Sequence, residues 1–178
     1  MENKFHDMLF TRHSIRKYTD QPIDGEQVKL LLEAALLAPS SKSARPWEFV
    51  VVEDKETLEK MAESKPFGAA PLKKCVLAIV VCADPFKSDV WVEDASVAAT
   101  YIQLQAELLG LGSCWVQIRG RFDKDNNDAA DLLRALLNIP GEQQVECVIT
   151  LGHKDEVRRP VDPEKLLWEK VHIGKFWC

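Results

Sequence analysis

Val76-Leu-Ala-Ile-Val-Val81 is the stretch of this sequence that decides its fold. The run is continuous and aliphatic, and it is shorter than a typical helix. Asp84-Pro85 follows it and interrupts regular structure. We therefore interpret residues 76–81 as the central strand of a sheet.

Other segments on both sides of this run have the patterns of strands and amphipathic helices. Strands are predicted at residues 47–52, 113–118 and 145–151, and helices at 3–11, 54–63, 88–109 and 128–137. A further helix follows Asp24, its predicted N-cap, and ends before Pro39. The small residues of the 88–109 helix permit close approach by another helix, and Gly110 and Gly112 are predicted to stop it.

The length of 178 residues predicts a single domain, residues 1–178. Within it, residues 153–178 form a charged, irregular C-terminal extension that ends in the aromatic residues Trp168, Phe176 and Trp177. A free tail has no need of such side chains, so we expect the extension to pack on its own body or on a partner subunit.

The composition excludes several classes of protein. With 23 Lys and Arg against 28 Asp and Glu, the net charge of -5 gives no basic field for a nucleic acid. The charged amino terminus does not resemble a signal peptide, and no apolar window is long enough for a membrane span, so a cytoplasmic protein is predicted. The odd number of cysteines, without a C-x-x-C pair, favours buried free thiols.

The first candidate for chemistry is Arg12-His13-Ser14-Ile15-Arg16-Lys17-Tyr18, immediately after the first helix. Guanidinium groups and a hydroxyl suit a phosphate dianion. If the segment is extended, Arg12, Ser14 and Arg16 share one face while His13 and Ile15 point the other way. A solvated basic turn would explain the same charges.

The second candidate is Ala38-Pro39-Ser40-Ser41-Lys42-Ser43-Ala44-Arg45-Pro46-Trp47, a polar loop between two prolines that joins a predicted helix to a strand. Its hydroxyls and backbone amides could bind a polyol or a polar ring edge. An ordinary helix-to-strand connection is the simpler interpretation of this loop when it is taken alone.

Together the two segments resemble the nitroreductase flavoprotein family, which has Arg-x-Ser-x-Arg/Lys near its amino terminus and Ala-Pro-Ser-Ser-x-Asn-x-Gln-Pro-Trp further on. A third match is Leu109-Gly-Leu-Gly-Ser-Cys-Trp-Val116, similar to the family's Gly-Leu-Gly-Ser/Thr-Cys-Trp segment. The resemblance extends from Phe10 to the terminal Trp-Glu-Lys-Val-His stretch.

This resemblance implies an α+β fold with a mainly antiparallel central sheet flanked by helices. It also implies an intertwined homodimer that binds FMN at the subunit interface. The positions that match the family's motifs are expected to bind the cofactor. They are Arg12, His13, Ser14 and Arg16 at the phosphate, ribityl chain and ring edge; Pro39, Ser40, Ser41 and Ser43 from the other subunit; Val116, Gln117 and Ile118 as a backbone donor to the ring; and Arg158 and Arg159 as further phosphate contacts.

Two residues depart from the family pattern. Ser43 and Arg45 stand where the family usually has Asn and Gln. An Arg near the flavin pyrimidine would stabilise the reduced anion, whereas an Arg turned outward would attract an acidic substrate. The sequence leaves both roles open for Arg45.

Several other patterns are interpreted without a function. Gly110-x-Gly112 follows a helix and precedes a strand, the reverse of a dinucleotide-binding turn. His153 and His172 lack partners at metal-ligand spacing, so no metal is expected. Cys114 is expected to be a core thiol, and Glu93 and Asp94 a solvated face.

The resemblance implies an enzyme in which the flavin carries the chemistry and no catalytic side chain is required. We expect ping-pong transfer of hydride from NADH or NADPH, through FMN, to a small nitroaromatic or quinone acceptor. A flavin-binding storage or redox-sensing module without turnover, and a flavin-fragmenting or dehalogenating relative, are the alternatives. Nucleic acid and membrane are not expected as partners.

Overall fold

The computed structural model of the chain describes residues 4–176. They form two units, a larger one of residues 13–157 and a smaller one of residues 4–12 with 158–176. No helix within the described range has the length and apolar character that crossing a membrane requires. The predictions that concern Asn3, Trp177 and Cys178 lie outside the described residues.

The helices and strands lie close to their predicted positions. The strands are β1 (Trp47–Val52), β2 (Leu77–Ala83), β3 (Leu111–Gln117) and β4 (Gln144–His153), and the α-helices are α1 (Lys4–Thr11), α2 (Gly25–Leu36), α3 (Lys55–Ala62), α4 (Trp91–Leu108) and α5 (Ala129–Leu137).

The larger unit is built on one sheet with the strand order β1-β2-β4-β3, in which each neighbouring pair is antiparallel. The interpretation of the 76–81 run as a central strand is confirmed, because β2 pairs with strands on both sides. The strand continues beyond Val81, since Cys82 and Ala83 pair with Val145 and Gln144 of β4.

The side chains of β2 alternate between two cores, which explains its unbroken apolar sequence. Leu77, Ile79 and Val81 face one cluster, formed with α2 and α4. Ala78 and Val80 face the other, which contains residues of α3 and α5. Successive side chains of a strand point to opposite faces, so both faces of this sheet are covered by helices. The predicted α+β fold with a mainly antiparallel sheet is confirmed.

The helix ends follow local capping rules. Asp24 caps α2 as predicted: its carboxylate accepts the backbone N–H of Glu26 at 2.9 Å, and Gln27 completes a capping box. The side chains of Asp54 and Asp128 likewise accept backbone N–H groups at the starts of α3 and α5. The predicted helix at 54–63 therefore included its two cap residues.

The region around α4 and β3 corrects two predictions. The helix begins at Trp91 rather than residue 88, because the backbone of its N-cap Val90 is not helical (φ -112°, ψ 35°); Ser88 lies before the helix, and its hydroxyl bonds to Asp94. Gly112 does not stop α4, which ends at Leu108; it lies inside β3, paired with Gly152. Gly110, with a φ of +76°, makes the turn between them.

The smaller unit contains α1 and the C-terminal segment. The backbone N–H of Val161 donates to the carbonyl of Phe10 at 2.8 Å, which joins its two parts. Short 3₁₀ turns at Pro163–Lys165 and Trp168–Lys170 are its only other helical elements among the described residues. Trp168 is 69% exposed and Phe176 is 79% exposed.

Candidate flavin-binding site

The segment that follows Arg12 is fixed to the outer edge of β3 and to the end of β4. The backbone N–H of Ile15 donates to Ser113 at 2.9 Å, and that of Thr19 donates to His153 at 3.0 Å. Ser14 thereby forms a parallel bridge with Ser113, and Tyr18 an antiparallel bridge with Lys154. These contacts hold the segment extended on the sheet.

Two glycines let the segment approach the sheet closely. A β-carbon at Gly112 would lie 2.7 Å from Ile15, and one at Gly152 would lie 2.9 Å from Tyr18. Neither distance is possible between real carbon atoms. The paired glycines of β3 and β4 thus form a shallow seat for Ile15 and Tyr18, a role that no local sequence pattern shows.

Tyr18 anchors the segment with its hydroxyl. The hydroxyl donates to the carbonyl of Ile15 at 2.5 Å and shares a hydrogen bond of 2.8 Å with the hydroxyl of Thr150. Burial raises the pKa of Tyr18 far above its ordinary value, so the phenol keeps its proton. The anchor is therefore a neutral donor over the whole working pH range.

Ile15 is buried, whereas its neighbours Ser14 and Arg16 are half-buried and exposed, respectively. Arg16 is exposed, and its backbone N–H donates to Glu156 Oε1 at 2.5 Å. The Ser14 hydroxyl contacts the thiol of Cys114, and that contact acts to lower the thiol pKa. The predicted opposition of Arg16 and Ile15 is confirmed.

His13 begins this part of the larger unit and carries a buried ring nitrogen, Nε2, without a hydrogen-bond partner among the described residues. Buried polar atoms in proteins are nearly always paired. An unpaired imidazole nitrogen beside Ser14 is therefore a position at which a bound ligand, water or second chain would supply the missing contact.

Lys65 is a candidate site residue that the sequence did not reveal. Only 9% of this residue is exposed, and its Nζ donates to the carbonyl of Gln117 at 2.7 Å. Desolvation and the nearby Arg121 lower its pKa, while the Cys114 thiol acts in the opposite direction. No carboxylate forms an ion pair with Lys65 among the described residues.

A poorly solvated ammonium without a counter-ion is costly unless a bound anion compensates it. Lys65 and Arg16 are both close enough to Cys114 to influence its pKa. The cationic groups of the Arg16 segment and Lys65 thus converge on the same part of β3. A lone lysine in a loop gives no sequence signal, because its partner Gln117 is 52 residues away.

The predicted backbone stretch Val116-Gln117-Ile118 lies at the end of β3. Val116 and Ile118 are fully buried, so their side chains belong to the core and they can offer a ligand only their backbone. The N–H of Ile118 already donates to the carbonyl of Glu146 at 3.3 Å. Gln117 is half-buried, and its side chain accepts from the indole of Trp115 at 2.8 Å.

Glu146 stabilises the turn that follows. Its carboxylate is buried and pairs with Nε of Arg119 at 2.6 Å, while its carbonyl accepts from the backbone of Arg119 at 3.0 Å. Gly120 comes next in a left-handed conformation. The end of β3 is therefore a rigid edge next to Lys65.

The second predicted segment, the Ser40 loop (residues 40–45), has an unusual backbone. Lys42, Ser43 and Arg45 have φ values of 50°, 54° and 47°. Ser40 Oγ accepts the backbone N–H of Arg45 at 2.8 Å. Pro39, Ser43 and Arg45 are exposed, whereas Ser40 and Ser41 are half-buried.

Asp94 contacts the Ser40 loop and contradicts the prediction of a solvated face. Only 5% of this residue is exposed. Its carboxylate accepts the backbone N–H of Ser41 and the hydroxyl of Ser88, each at 2.7 Å. The prediction was wrong because both partners come from other segments of the chain. Glu93, its neighbour on α4, is exposed as predicted.

The remaining predicted site residues belong to the smaller unit. Arg12 follows α1 and is half-buried, with its backbone N–H bonded to Met8 at 2.9 Å. Arg158 and Arg159 are exposed in the C-terminal segment. Three guanidinium groups of the predicted set therefore lie in this unit.

The thiols and potential metal ligands of the described residues do not form a metal-binding cluster. Cys75, Cys82, Cys114 and Cys147 are buried and free, as predicted. Burial raises the pKa of each thiol, to about 12 for Cys75 and Cys82. Within residues 4–176, no three His, Cys, Asp or Glu side chains cluster as metal ligands.

The residues of the larger unit fit a phosphorylated cofactor with a polar ring. The segment offers a guanidinium, a hydroxyl and an unpaired imidazole nitrogen, and Lys65 offers a partly buried cation. Donors of this kind match phosphate and carbonyl oxygens. The orphaned His13 nitrogen is the observation in favour of this fit.

Comparison with known proteins agrees with the fold. The model of the nitroreductase family matches residues 9–70 and 76–153. The chain belongs to the nitroreductase family.

Individual relatives cover nearly the whole chain. A protein of Archaeoglobus fulgidus, provisionally named NADH dehydrogenase/NAD(P)H nitroreductase, is 44% identical over 95% of this chain and 97% of its own length. The structure of an FMN-dependent nitroreductase from Clostridium difficile R20291 superposes with a TM-score of 0.94 at 48% identity, covering 96% of this chain and 99% of the other.

A more distant structure shares the fold alone. The NADPH:FMN oxidoreductase of Vibrio harveyi, in complex with NAD⁺, has a TM-score of 0.81 at 24% identity, over 98% of this chain and 79% of its own. The fold is thus retained even where sequence identity is low.

Proposed function

We propose that this protein is an FMN-dependent oxidoreductase that takes hydride from NADH or NADPH and reduces a small acceptor. The observation that carries the proposal is the seating of the His13–Arg16 segment on Gly112, which leaves His13 Nε2 buried and unpaired next to Ser14. The FMN-dependent nitroreductase that superposes closely with this chain supports the choice of flavin.

The chain's part in the reaction is to bind and orient the cofactor. When bound, FMN supplies the redox chemistry, accepting hydride from the nicotinamide and passing electrons on. Arg12 and Arg16 would bind the phosphate, with Ser14 and His13 as shorter donors and acceptors. Arg158 and Arg159 are proposed as further phosphate contacts.

The charge of Lys65 has a separate role. A cation near the flavin stabilises negative charge on a bound ligand, most strongly where water is partly excluded. Because Lys65 Nζ is bonded to the carbonyl of Gln117, it is held in place before a ligand arrives. We propose that the backbone at Val116-Gln117-Ile118 and the turn after it face the ring.

The proposed enzyme is a homodimer, with FMN between the subunits and the loop of Pro39, Ser40, Ser41 and Ser43 reaching the flavin of the other protomer. Large apolar side chains are exposed in the single chain, which supports a second copy as their cover. They include Leu36, Leu37, Leu108, Trp168, Ile173 and Phe176. Sedimentation equilibrium should give twice the mass of 20.1 kDa.

We further propose that nicotinamide and acceptor use one pocket in turn, with a nitroaromatic or quinone serving as acceptor in vitro. Double-reciprocal plots at several acceptor concentrations should then be parallel. Intersecting lines would show that both substrates bind together.

The decisive experiment is an absorbance spectrum of the purified protein, followed by anaerobic addition of NADH or NADPH. A flavin spectrum that bleaches and returns with acceptor is expected. Bound flavin that neither nicotinamide reduces would indicate a storage or redox-sensing module. Protein that is colourless and takes up no added FMN would refute the proposal.

A further inference from the structure

The Ser40 loop has a backbone that needs outside support. Three of its residues that carry a β-carbon, Lys42, Ser43 and Arg45, have left-handed φ values between 47° and 54°. This conformation is unfavourable for such residues because the β-carbon crowds the backbone. It persists only where surrounding contacts impose it, and such strain clusters at functional sites.

Asp94 supplies the contact that ties the start of the loop to the body of the protein. Its Oδ1 accepts the backbone N–H of Ser41 at 2.7 Å, across 53 residues of sequence. The other hydrogen bonds at this end are local, from Ser43 to Ser40 and from Ala44 to Ser41. Without Asp94, these local bonds could form in a loop detached from α4.

The far end of the loop is fixed independently. The carbonyl of Pro46 accepts the backbone N–H of Asp84 at 2.9 Å, and Trp47 begins β1 directly afterwards. Loss of the Asp94 contact is therefore expected to release the Ser40 end while β1 stays in the sheet.

The carboxylate of Asp94 is buried without a cation. No ion pair to Asp94 is present among the described residues. Its second oxygen accepts the hydroxyl of Ser88 at 2.7 Å. Asp94 lies in the first turn of α4, whose N-cap Val90 gives no side-chain cap, so the helix N-terminus favours the negative charge.

We propose that Asp94 is a positioning residue for the flavin site: by binding the Ser41 amide, it holds the Ser40 loop in the strained conformation that presents the loop to the cofactor. This inference rests on the proposed function, in which that loop borders the FMN. Asp94 acts through Ser41 and does not itself touch the cofactor.

The test compares Asp94→Ala, Asp94→Asn and Ser88→Ala by two readouts. The first is the Kd for FMN, from quenching of flavin fluorescence. The second is the rate of tryptic cleavage after Lys42 in the FMN-free protein, measured by mass spectrometry; the neighbouring Arg45–Pro46 bond resists trypsin because proline follows the arginine.

Asp94→Ala should weaken FMN binding about tenfold or more and speed cleavage after Lys42, since a charged hydrogen bond to the loop is lost. Asp94→Asn should stay close to wild type, because its amide oxygen can accept from Ser41 while its N–H donates to the Ser88 hydroxyl. The Ser88→Ala protein should be less stable than wild type without a comparable loss of FMN affinity, since the Ser41 amide still donates to Asp94.

A folded Asp94→Ala protein with wild-type FMN affinity and wild-type cleavage would overturn the inference. If that variant does not fold, Asp94→Glu keeps the charge but adds a methylene that displaces the Ser41 contact; it should show the same two effects, and wild-type behaviour would refute the role. Wild-type protein that binds no FMN would refute the proposed function instead, and the cleavage readout would still test the loop contact.

Discussion

The ring of Tyr18 lies directly against Gly152, so closely that a β-carbon on the glycine would be 2.9 Å from three atoms of the tyrosine. Gly152 belongs to β4, and Tyr18 ends the segment that carries Ser14 and Arg16. The packing of one glycine thus determines where the candidate ligands of a phosphate group lie. Its disturbance should affect both stability and cofactor binding.

Gly152→Ala should lower the free energy of unfolding by about 1–3 kcal/mol, because the added methyl group must displace the Tyr18 ring. FMN affinity should fall with it, since the displaced segment carries the proposed phosphate ligands Ser14 and Arg16. Urea denaturation and an FMN titration measure the two effects. Gly141→Ala is the matched control, because a β-carbon there meets no atom within 4 Å.

Tyr18→Phe should cost about 1–2 kcal/mol of stability, because the change removes the hydroxyl that bonds Ile15 and Thr150 but keeps the ring. Chemical denaturation of the FMN-free protein measures the loss. Tyr101→Phe offers a comparison, since Tyr101 is the other of the two tyrosines and is partly exposed. Equal effects of both substitutions would contradict the anchoring role.

Lys65→Met should alter the pH dependence of stability. The folded-state pKa of Lys65 is lowered by desolvation, so the unfolded chain binds more protons between that pKa and the ordinary value of 10.5. Stability of wild type relative to Lys65→Met should therefore rise as pH increases through this window. Urea unfolding of both FMN-free proteins at pH 7, 8, 9 and 10 tests the sign.

Lys60→Met serves as the control for Lys65. Lys60 is exposed and pairs with Glu56 at 2.7 Å, which raises its pKa instead of lowering it. The difference in unfolding free energy between wild type and Lys60→Met should hardly change with pH. Any change should be a decrease as the pH rises, opposite to that for Lys65. Identical curves for the two lysines would show that Lys65 is not desolvated.

Arg12→Ala should weaken FMN binding by about 1.5–3 kcal/mol, the value of a charge-assisted contact. Arg16→Ala should have an effect of the same order. Lys29→Ala, which removes an exposed cation 3.9 Å from Glu26 on α2, should leave the Kd unchanged. Full retention of flavin by the Arg12 variant would mean that the phosphate lies elsewhere.

The thiols should be unreactive in the native protein. Burial raises the pKa of Cys75 and Cys82 to about 12, and those of Cys114 and Cys147 are raised as well. When a Cys178→Ser variant is treated with a chromogenic disulfide reagent at pH 8, its remaining thiols should release almost none of the reagent's coloured thiolate until the protein is unfolded. Rapid reaction of one native thiol would identify an accessible cysteine in the site.

The features that the sequence predicted well are those set by neighbouring residues. The cap at Asp24 needs only Glu26 and Gln27, and the apolar run of β2 reflects its own burial. The motifs at Arg12 and Ser40 were identified because they are contiguous.

The features that were missed depend on distant partners. The burial of Asp94 depends on Ser41, which is 53 residues away, and the position of Lys65 depends on Gln117, which is 52 residues away. Gly112 has the sequence context of a helix stop, but its absent side chain makes room for Ile15. Such contacts follow from the register of β3 and β4, which a single sequence does not display.

β2 lies between two strands and every one of its residues is buried. This position also determines which parts of the protein unfold locally first and which unfold last. Its amide hydrogens should be the last to exchange with deuterium, at a rate set by global unfolding. The Ser40 loop, attached at one end by a single carboxylate, should exchange through small local openings. The protein could therefore admit and release its ligand without disturbing the strand on which its fold depends.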